Sequence, residues 1–276
     1  MDNIVLIGHG YWGSKLETYL NRESFFSLKN ICNSKSDLDG IWKDKNITSV
    51  IIATPQDTHY SIVKNALLFG KNVLVEKPLA LVPSESEELN DLSIKNGCVL
   101  VVDYTLSFSE SLLEVLHFIK ELGSDLNFDL SMKRWGRFGR GHVYWLFLSH
   151  LLSILDLFYP IEELKYKKFL DQILCYGSNN SFVGSMKVSL TFPGKETKML
   201  LSGKNGSLKW DVENSPTIVL RKYNGEDTEK NFDEKNTLAR SINYFKLCIE
   251  GKAKGNAQQS VKITRIIREL LTKEEE

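Results

Sequence analysis

Over the first hundred residues, short continuous apolar runs alternate with longer stretches in which apolar positions recur every three to four residues. The runs predict strands over 3–7, 25–32, 49–54, 72–75 and 99–103. The stretches between them predict helices over 14–20, 57–69 and 84–96, the last two ended by Gly70 and Gly97. These strands do not alternate apolar with polar side chains, the pattern expected when both faces of a parallel sheet are covered. The region therefore reads as a doubly wound α/β domain.

Beyond about residue 105 the rhythm changes. A helix over 110–122, a strand over 126–133, a glycine-punctuated basic loop and an apolar helix over 144–158 are followed by longer segments. These are broken at Gly177-Ser178-Asn179-Asn180, Pro193-Gly194-Lys195, Asn205-Gly206 and Asn224-Gly225. They predict antiparallel strands and hairpins, and two helices over 237–249 and 261–271 close the chain. The acidic end, Glu274-Glu275-Glu276, reads as a solvated tail. The expected organisation is a Rossmann domain over 1–104 and an α+β domain over 105–276, built on an open, mostly antiparallel sheet.

Composition narrows the function classes. A chain of 276 residues exceeds what one core normally serves, which favours two domains. Zero formal net charge argues against nucleic acid as a partner. The first apolar run is only strand-length, without a basic segment ahead of it, and the stretch over 145–158 contains His150 and Asp156 and is too short to span a bilayer. The expectation is a cytoplasmic protein without a membrane partner. Cys32, Cys98, Cys175 and Cys248 are scattered and form no metal-like pair, so no metal is expected.

The sharpest motif is Gly8-His9-Gly10-Tyr11-Trp12-Gly13, placed between the first strand and the first helix. In that setting Gly8 makes a tight turn, Gly10 admits a pyrophosphate to the backbone, and Gly13 lets helix and strand pack closely. The helix start offers N–H groups to phosphate. Two further strand ends carry chemistry: Thr54-Pro55-Gln56-Asp57-Thr58-His59, and Glu76-Lys77-Pro78. Ligands of open α/β sheets bind beyond the carboxyl ends of strands, and a partly dry lysine there can exchange protons near neutrality.

Together these motifs resemble the Gfo/Idh/MocA family (glucose–fructose oxidoreductase and inositol dehydrogenase). Gly10-Tyr11-Trp12-Gly13, Val102-Asp103-Tyr104-Thr105, Trp145 ahead of His150, and Ser202-Gly203-Lys204-Asn205-Gly206 are similar to a branch acting on sugars and nucleotide sugars. The resemblance implies an NAD(P)-dependent dehydrogenase or ketoreductase of carbohydrate alcohols and ketones, assembled as a homodimer or homotetramer. It implies Lys77 and His150 as the proton-handling pair. Around the cofactor it implies Tyr11, Trp12, Thr54, Pro55, His59, Glu76 and Lys77 beside the three glycines, and around the substrate Asp103, Tyr104, Trp145 and His150. One departure stands out. The family pattern has an Asp four residues before the histidine, and this chain has Leu146. Asp156 cannot replace it, because six residues turn it about 240° from His150.

Cofactor choice turns on the end of the second strand, about 20 residues past the last glycine, where an acid would bind the ribose hydroxyls. Here the chain reads Asn33-Ser34-Lys35: no acid repels a 2′-phosphate, and Ser34 with Lys35 can hold one, so NADP(H) is favoured. Asp37 and Asp39 keep NAD(H) open. Lys133, Arg134, Arg137, Arg140 and His142 form a basic cluster with no acid among them. It reads either as a solvated loop or as a seat for an anionic substrate through Arg134 and Arg137. A rival to the enzyme is a catalytically silent NAD(P)-binding sensor or assembly protein, which Leu146 favours and intact Lys77 and His150 oppose.

Overall fold

The computed structural model describes all residues except 1, 24, 136–142, 162–163, 170–171, 177, 180–181, 214–215 and 273–276. Arg137, Arg140 and His142 lie outside the described residues. The chain forms two compact units, one of Met1–Thr105 with Thr237–Thr272, the other built on Leu106–Asn236.

The first unit opens with β1 (Asp2–Ile7), α1 (Tyr11–Arg22), β2 (Phe26–Cys32), α2 (Asp39–Lys43) and β3 (Ser49–Ile52). It continues through α3 (His59–Leu68), β4 (Asn72–Glu76), α4 (Pro83–Lys95) and β5 (Leu100–Asp103). The sheet order is β2-β1-β3-β4-β5, every neighbouring pair parallel. All four residues of β3 and of β5 are buried, so both faces are covered, as continuous apolar strands require. The order reverses direction at β1, and the crevice beyond the carboxyl ends of β1 and β3 is the switch point where such folds bind ligands.

The second unit contains α5 (Glu110–Ile119), β6 (Leu126–Trp135), a single π-helical turn over Tyr144–Leu148 and α6 (Ser149–Leu155). Its remaining strands are β7 (Lys165–Phe169), β8 (Gln172–Tyr176), β9 (Ser178–Asn179), β10 (Phe182–Ser189), β11 (Thr191–Gly203), β12 (Gly206–Asp211), β13 (Thr217–Lys222) and β14 (Thr228–Asn231). The sheet runs β14-β13-β12-β11-β6-β10-β8-β7, and only β6 and β10 pair in parallel. It is the mostly antiparallel sheet that the second half of the sequence predicts. Asn205-Gly206 and Asn224-Gly225 mark hairpin turns. Pro193-Gly194-Lys195 does not: it sits within β11, where the register jumps between Thr191 and Lys195. Proline lacks the N–H that a regular ladder needs, and a local irregularity accommodates it.

The boundary expected for the second domain needs a correction at its end. The closing helices α7 (Thr237–Ile249) and α8 (Ala257–Thr272) belong to the first unit. There α7 packs on α1, and α8 packs on α4 and β5. The segment between them seals the edge of the sheet: Asn256 Oδ1 accepts from the Val102 N–H at 2.7 Å, and its amide donates to the Val102 carbonyl at 2.9 Å. An edge strand with unsatisfied backbone groups is thereby closed by a side chain 154 residues away in sequence.

Candidate functional site

At the switch point the Gly turn has the steric signature of a backbone cradle. Gly8 has φ +98°, and a Cβ there would lie 2.4 Å from the Ala53 carbonyl oxygen; one on Gly13 would lie 2.1 Å from the carbonyl of Gly8. Both positions exclude any side chain. Gly10 faces open space, with nothing within 4 Å of where its Cβ would be. Helix α1 starts at Gly10 with no side-chain cap and no acid in its first turn, leaving its positive end to a ligand. Beside it, Tyr11 and Trp12 are exposed, edge to face at 5.2 Å, with the Lys15 ammonium over both rings. Lys15 was not singled out in the sequence, although a cation one turn into this helix adds charge where phosphate would sit. The residues present fit a dinucleotide.

The end of β2 offers less direct recognition. Asn33 Oδ1 accepts the Lys35 backbone N–H at 2.9 Å, and the Asn33 N–H donates to Ser36 Oγ at 2.9 Å. Asn33 therefore builds the turn. Ser34 and Lys35 are exposed on it. Asp37, one of the two acids that keep NAD(H) open, accepts the backbone N–H of the other, Asp39.

Beyond β3 and β4 the first unit gathers its titratable groups. His59 is buried, its Nδ1 2.7 Å from the Pro78 carbonyl and its Nε2 2.9 Å from that of Thr54. Burial lowers its pKa against the opposing pull of those carbonyls. With both ring nitrogens facing backbone, His59 ties the Thr54-Pro55 turn to the residue after Lys77. Thr54 also accepts from the Thr58 hydroxyl at 2.8 Å, which tightens the same turn, while Pro55 is exposed. Lys77 itself is half-buried; burial pushes its pKa down to about 8 despite the Glu76 charge next to it.

Glu76 and Asp103 are register partners on β4 and β5. Both are buried, Asp103 to 1% exposure. Burial raises Asp103 to about 6 although Ser241 and Thr105 donate to it, and burial with the neighbouring Asp103 raises Glu76 well above the carboxylate range. Ser241, on α7, was missed because its sequence neighbourhood reads only as an amphipathic helix. Asp103 and Tyr104, expected around the substrate, are both buried. Tyr104 is fully buried with its hydroxyl 3.0 Å from Ser260 Oγ, and Asp103 is sealed under Ser241.

In the second unit, Arg134 Nη2 lies 3.4 Å from Glu213 Oε1, and Lys133 Nζ lies 2.8 Å from Glu196 Oε1. The two described members of the basic cluster are therefore paired with acids from elsewhere in the sheet, which diminishes the case for an anion seat. Trp145 is buried, not poised at an open site. Leu146 and His150 are half-buried between buried neighbours, so they share the less covered face of their segment. The π-turn at 144–148 lies directly before His150, and such bulges concentrate at functional sites. Among the described residues no group of His, Cys, Asp and Glu could hold a metal, and no helix is long and apolar enough to cross a membrane.

Residues 24–104 match the family model described as "Oxidoreductase family, NAD-binding Rossmann fold" (GFO_IDH_MocA). An uncharacterized oxidoreductase of Schizosaccharomyces pombe is 34% identical over 107 residues, covering 38% of this chain and 29% of that protein. The Escherichia coli oxidoreductase YhhX is 28% identical over 207 residues, 67% of this chain and 59% of its own length. The matches thus span under two thirds of these curated relatives. The fold is shared over nearly the full length with the 3-ketoreductase KijD10 of Actinomadura kijaniata, solved with NADP and TDP-benzene. Its TM-score is 0.78 at 13% identity, covering 95% of this chain and 94% of that one. It is shared equally with the UDP-N-acetylglucosamine 3-dehydrogenase GnnA of Acidithiobacillus ferrooxidans (TM-score 0.80, 16% identity, 96% and 94% covered). Over residues 24–104, the chain is thus similar to the Gfo/Idh/MocA family of oxidoreductases.

Proposed function

We propose that this protein is an NAD(P)-dependent oxidoreductase of a carbohydrate or nucleotide-sugar alcohol or ketone, with Lys77 as its proton-handling group. The carrying observation is Lys77 itself, a desolvated lysine with a pKa near 8, just past the carboxyl end of β4 in the same parallel sheet as the glycine cradle. A nicotinamide dinucleotide, when bound, supplies or accepts the hydride. The chain does the rest. Gly8, Gly10, Gly13 and the start of α1 bind phosphate, and Tyr11, Trp12, Thr54 and Pro55 border the cradle. As an ammonium, Lys77 donates a proton to a carbonyl oxygen; as an amine, it accepts one from a hydroxyl. A pKa near working pH serves both directions. The family resemblance also implies a proton-handling role for His150. The substrate class is supported by two fold relatives, a UDP-N-acetylglucosamine 3-dehydrogenase and a 3-ketoreductase solved with TDP-benzene.

NADP(H) is the preferred cofactor on this reading, because the exposed Ser34 and Lys35 replace the usual ribose-binding acid. Fluorescence titration with NADPH and NADH tests it: Lys35→Ala should weaken NADPH about tenfold or more, the loss of a charge-assisted hydrogen bond, and leave NADH unchanged. Equal effects on both cofactors would end the phosphate role. Assembly as a homodimer or homotetramer through the second unit's sheet follows from Leu200 and Val183, about half exposed on strands that carry both signs of charge, such as Lys187 and Asp129 at 2.9 Å. Light scattering of Leu200→Arg should then show monomers.

The silent rival rests on Leu146. Turnover of NAD(P)H with a panel of keto-sugars decides between them. Binding of cofactor without any turnover, unchanged in Leu146→Asp, would favour the rival.

A further inference from the structure

The His59 ring makes a pair of contacts that the proposed reaction does not by itself require. It lies at 1% exposure, with Nδ1 2.7 Å from the Pro78 carbonyl oxygen and Nε2 2.9 Å from that of Thr54. Both oxygens belong to backbone carbonyls and can only accept. A neutral imidazole carries one N–H and one lone pair, so it satisfies one carbonyl and turns its lone pair on the other. An imidazolium carries two N–H groups and satisfies both. The geometry fits the protonated ring, at a place where solvent does not stand ready to replace a lost bond.

The two carbonyls belong to different parts of the site. Thr54 opens the turn packed against the glycine cradle: a Cβ on Gly8 would lie 2.4 Å from the Ala53 carbonyl oxygen and 2.8 Å from the Thr54 nitrogen. Pro78 directly follows Lys77. One buried ring therefore braces the wall of the cradle against the loop that carries Lys77. The charges acting on it are Asp57, from the turn ahead of α3, and Lys77, from the end of β4; β3 contributes only Ser49-Val50-Ile51-Ile52. Burial lowers the pKa from the ordinary 6.5 and Lys77 adds to this, while the two carbonyls and Asp57 oppose it. The proton that makes both bonds is thus held more loosely than on a solvated histidine.

We propose that His59 is a positioning residue that, as an imidazolium, ties the cradle wall to the Lys77 loop, and that losing its second proton cuts one tie and weakens dinucleotide binding. The inference rests on the reading of the cradle as a dinucleotide site. His59 acts only through the backbone of Thr54 and Pro78. By linkage, a dinucleotide that favours the braced form raises the affinity of His59 for its proton, so binding takes up a proton.

NMR of the full-length protein labelled with ¹⁵N-histidine, without cofactor, tests the double tie. The chain has five histidines. Replacing His9, His117, His142 and His150 one at a time by Gln assigns the remaining ring, whether or not His59→Gln folds. At the acid end of the folded range His59 should show two ring N–H groups, and one after a titration centred below 6.5. A ring with a single N–H throughout the folded range overturns the proposal. Calorimetry with NAD⁺, whose phosphodiesters do not titrate near neutrality, tests the coupling. Affinity should fall about tenfold between about pH 5 and about pH 8, the loss of one hydrogen bond to a charged group. Buffers of different ionisation heat should reveal proton uptake on binding. His59→Gln has a single amide donor group that does not titrate, so it should bind weakly even at acid pH and lose most of the uptake. Uptake as large as in the wild type overturns the proposal and moves the pH dependence to other groups. If neither NAD⁺ nor NADP⁺ binds the wild-type protein, the dinucleotide reading fails, while NMR still decides the double tie.

Discussion

The two units treat their charges in opposite ways. In the second, Glu196 receives Lys133, Ser131 and Lys198; burial alone would raise its pKa, yet these partners hold it at about 2. Glu213 likewise meets Arg134 and the Thr197 hydroxyl. Glu196 is thereby stabilised in its charged form. In the first unit burial shifts Glu76, Lys77 and Asp103 alike, and all three titrate toward their neutral forms. Compensated charges hold a sheet together, whereas uncompensated ones cost stability and persist where chemistry needs a shifted pKa. The contrast between the two sets of charges is sharper in the fold than in the sequence, where the basic run at 133–142 is the more conspicuous feature.

The largest expected effect comes from removing the functional charge. Lys77→Met should cut kcat by about 10²–10⁴, the usual share of general acid–base catalysis, with NAD(P)H affinity nearly unchanged. Steady-state kinetics and fluorescence titration on one preparation check it. A drop confined to KM would move Lys77 from chemistry to binding and break the comparison.

Next in size is the stability cost of Asp103. Its folded pKa near 6 lies above the ordinary aspartate value of 3.8, so the folded state binds the extra proton. Stability from this group is fully present below about pH 4 and is lost as pH rises through about 6. About two units correspond to about 3 kcal/mol at pH 7. Asp103→Asn should therefore raise stability at pH 7 by up to that amount and flatten the stability profile between pH 4 and 6, as read by urea denaturation. A destabilised variant would mean that the Ser241 contact outweighs the buried charge.

Glu196 should behave with the opposite sign. Its depressed pKa contributes stability that is present above about pH 4.5 and disappears as pH falls toward 2. Glu196→Gln should cost about 1–3 kcal/mol at pH 7 and much less at pH 2, where about half of the wild-type carboxyl is protonated. A smaller effect is expected at exposed pairs such as Lys252 and Glu250, where substitution should change stability by less than about 1 kcal/mol. A large effect there would blur the distinction between the regions.

Much of the first unit was legible because its signals are local. Gly8, Gly10 and Gly13 announce a steric requirement within six residues, and continuous apolar strands announce a covered parallel sheet. The roles of His59, Asp103 and Tyr104 were not legible. Each looks like a polar residue at a ligand-bearing strand end, and only packing shows that its polar atoms face backbone, Ser241 or Ser260. In the second unit the basic run reads as a free patch because Glu196 and Glu213 lie far along the chain.

The sequence by itself determined the order of strands and helices, the dinucleotide turn and the place of Lys77, because periodicity, glycine sterics and strand-end position act over a few neighbouring residues. Tertiary structure alone decided three things: that α7 and α8 complete the first unit, that Asn256 closes the edge at Val102, and that Glu76 and Asp103 stand side by side. Each joins residues distant in sequence through strand register, burial or a hydrogen bond. Such pairings arise only when the chain folds back on itself, and no local pattern encodes them.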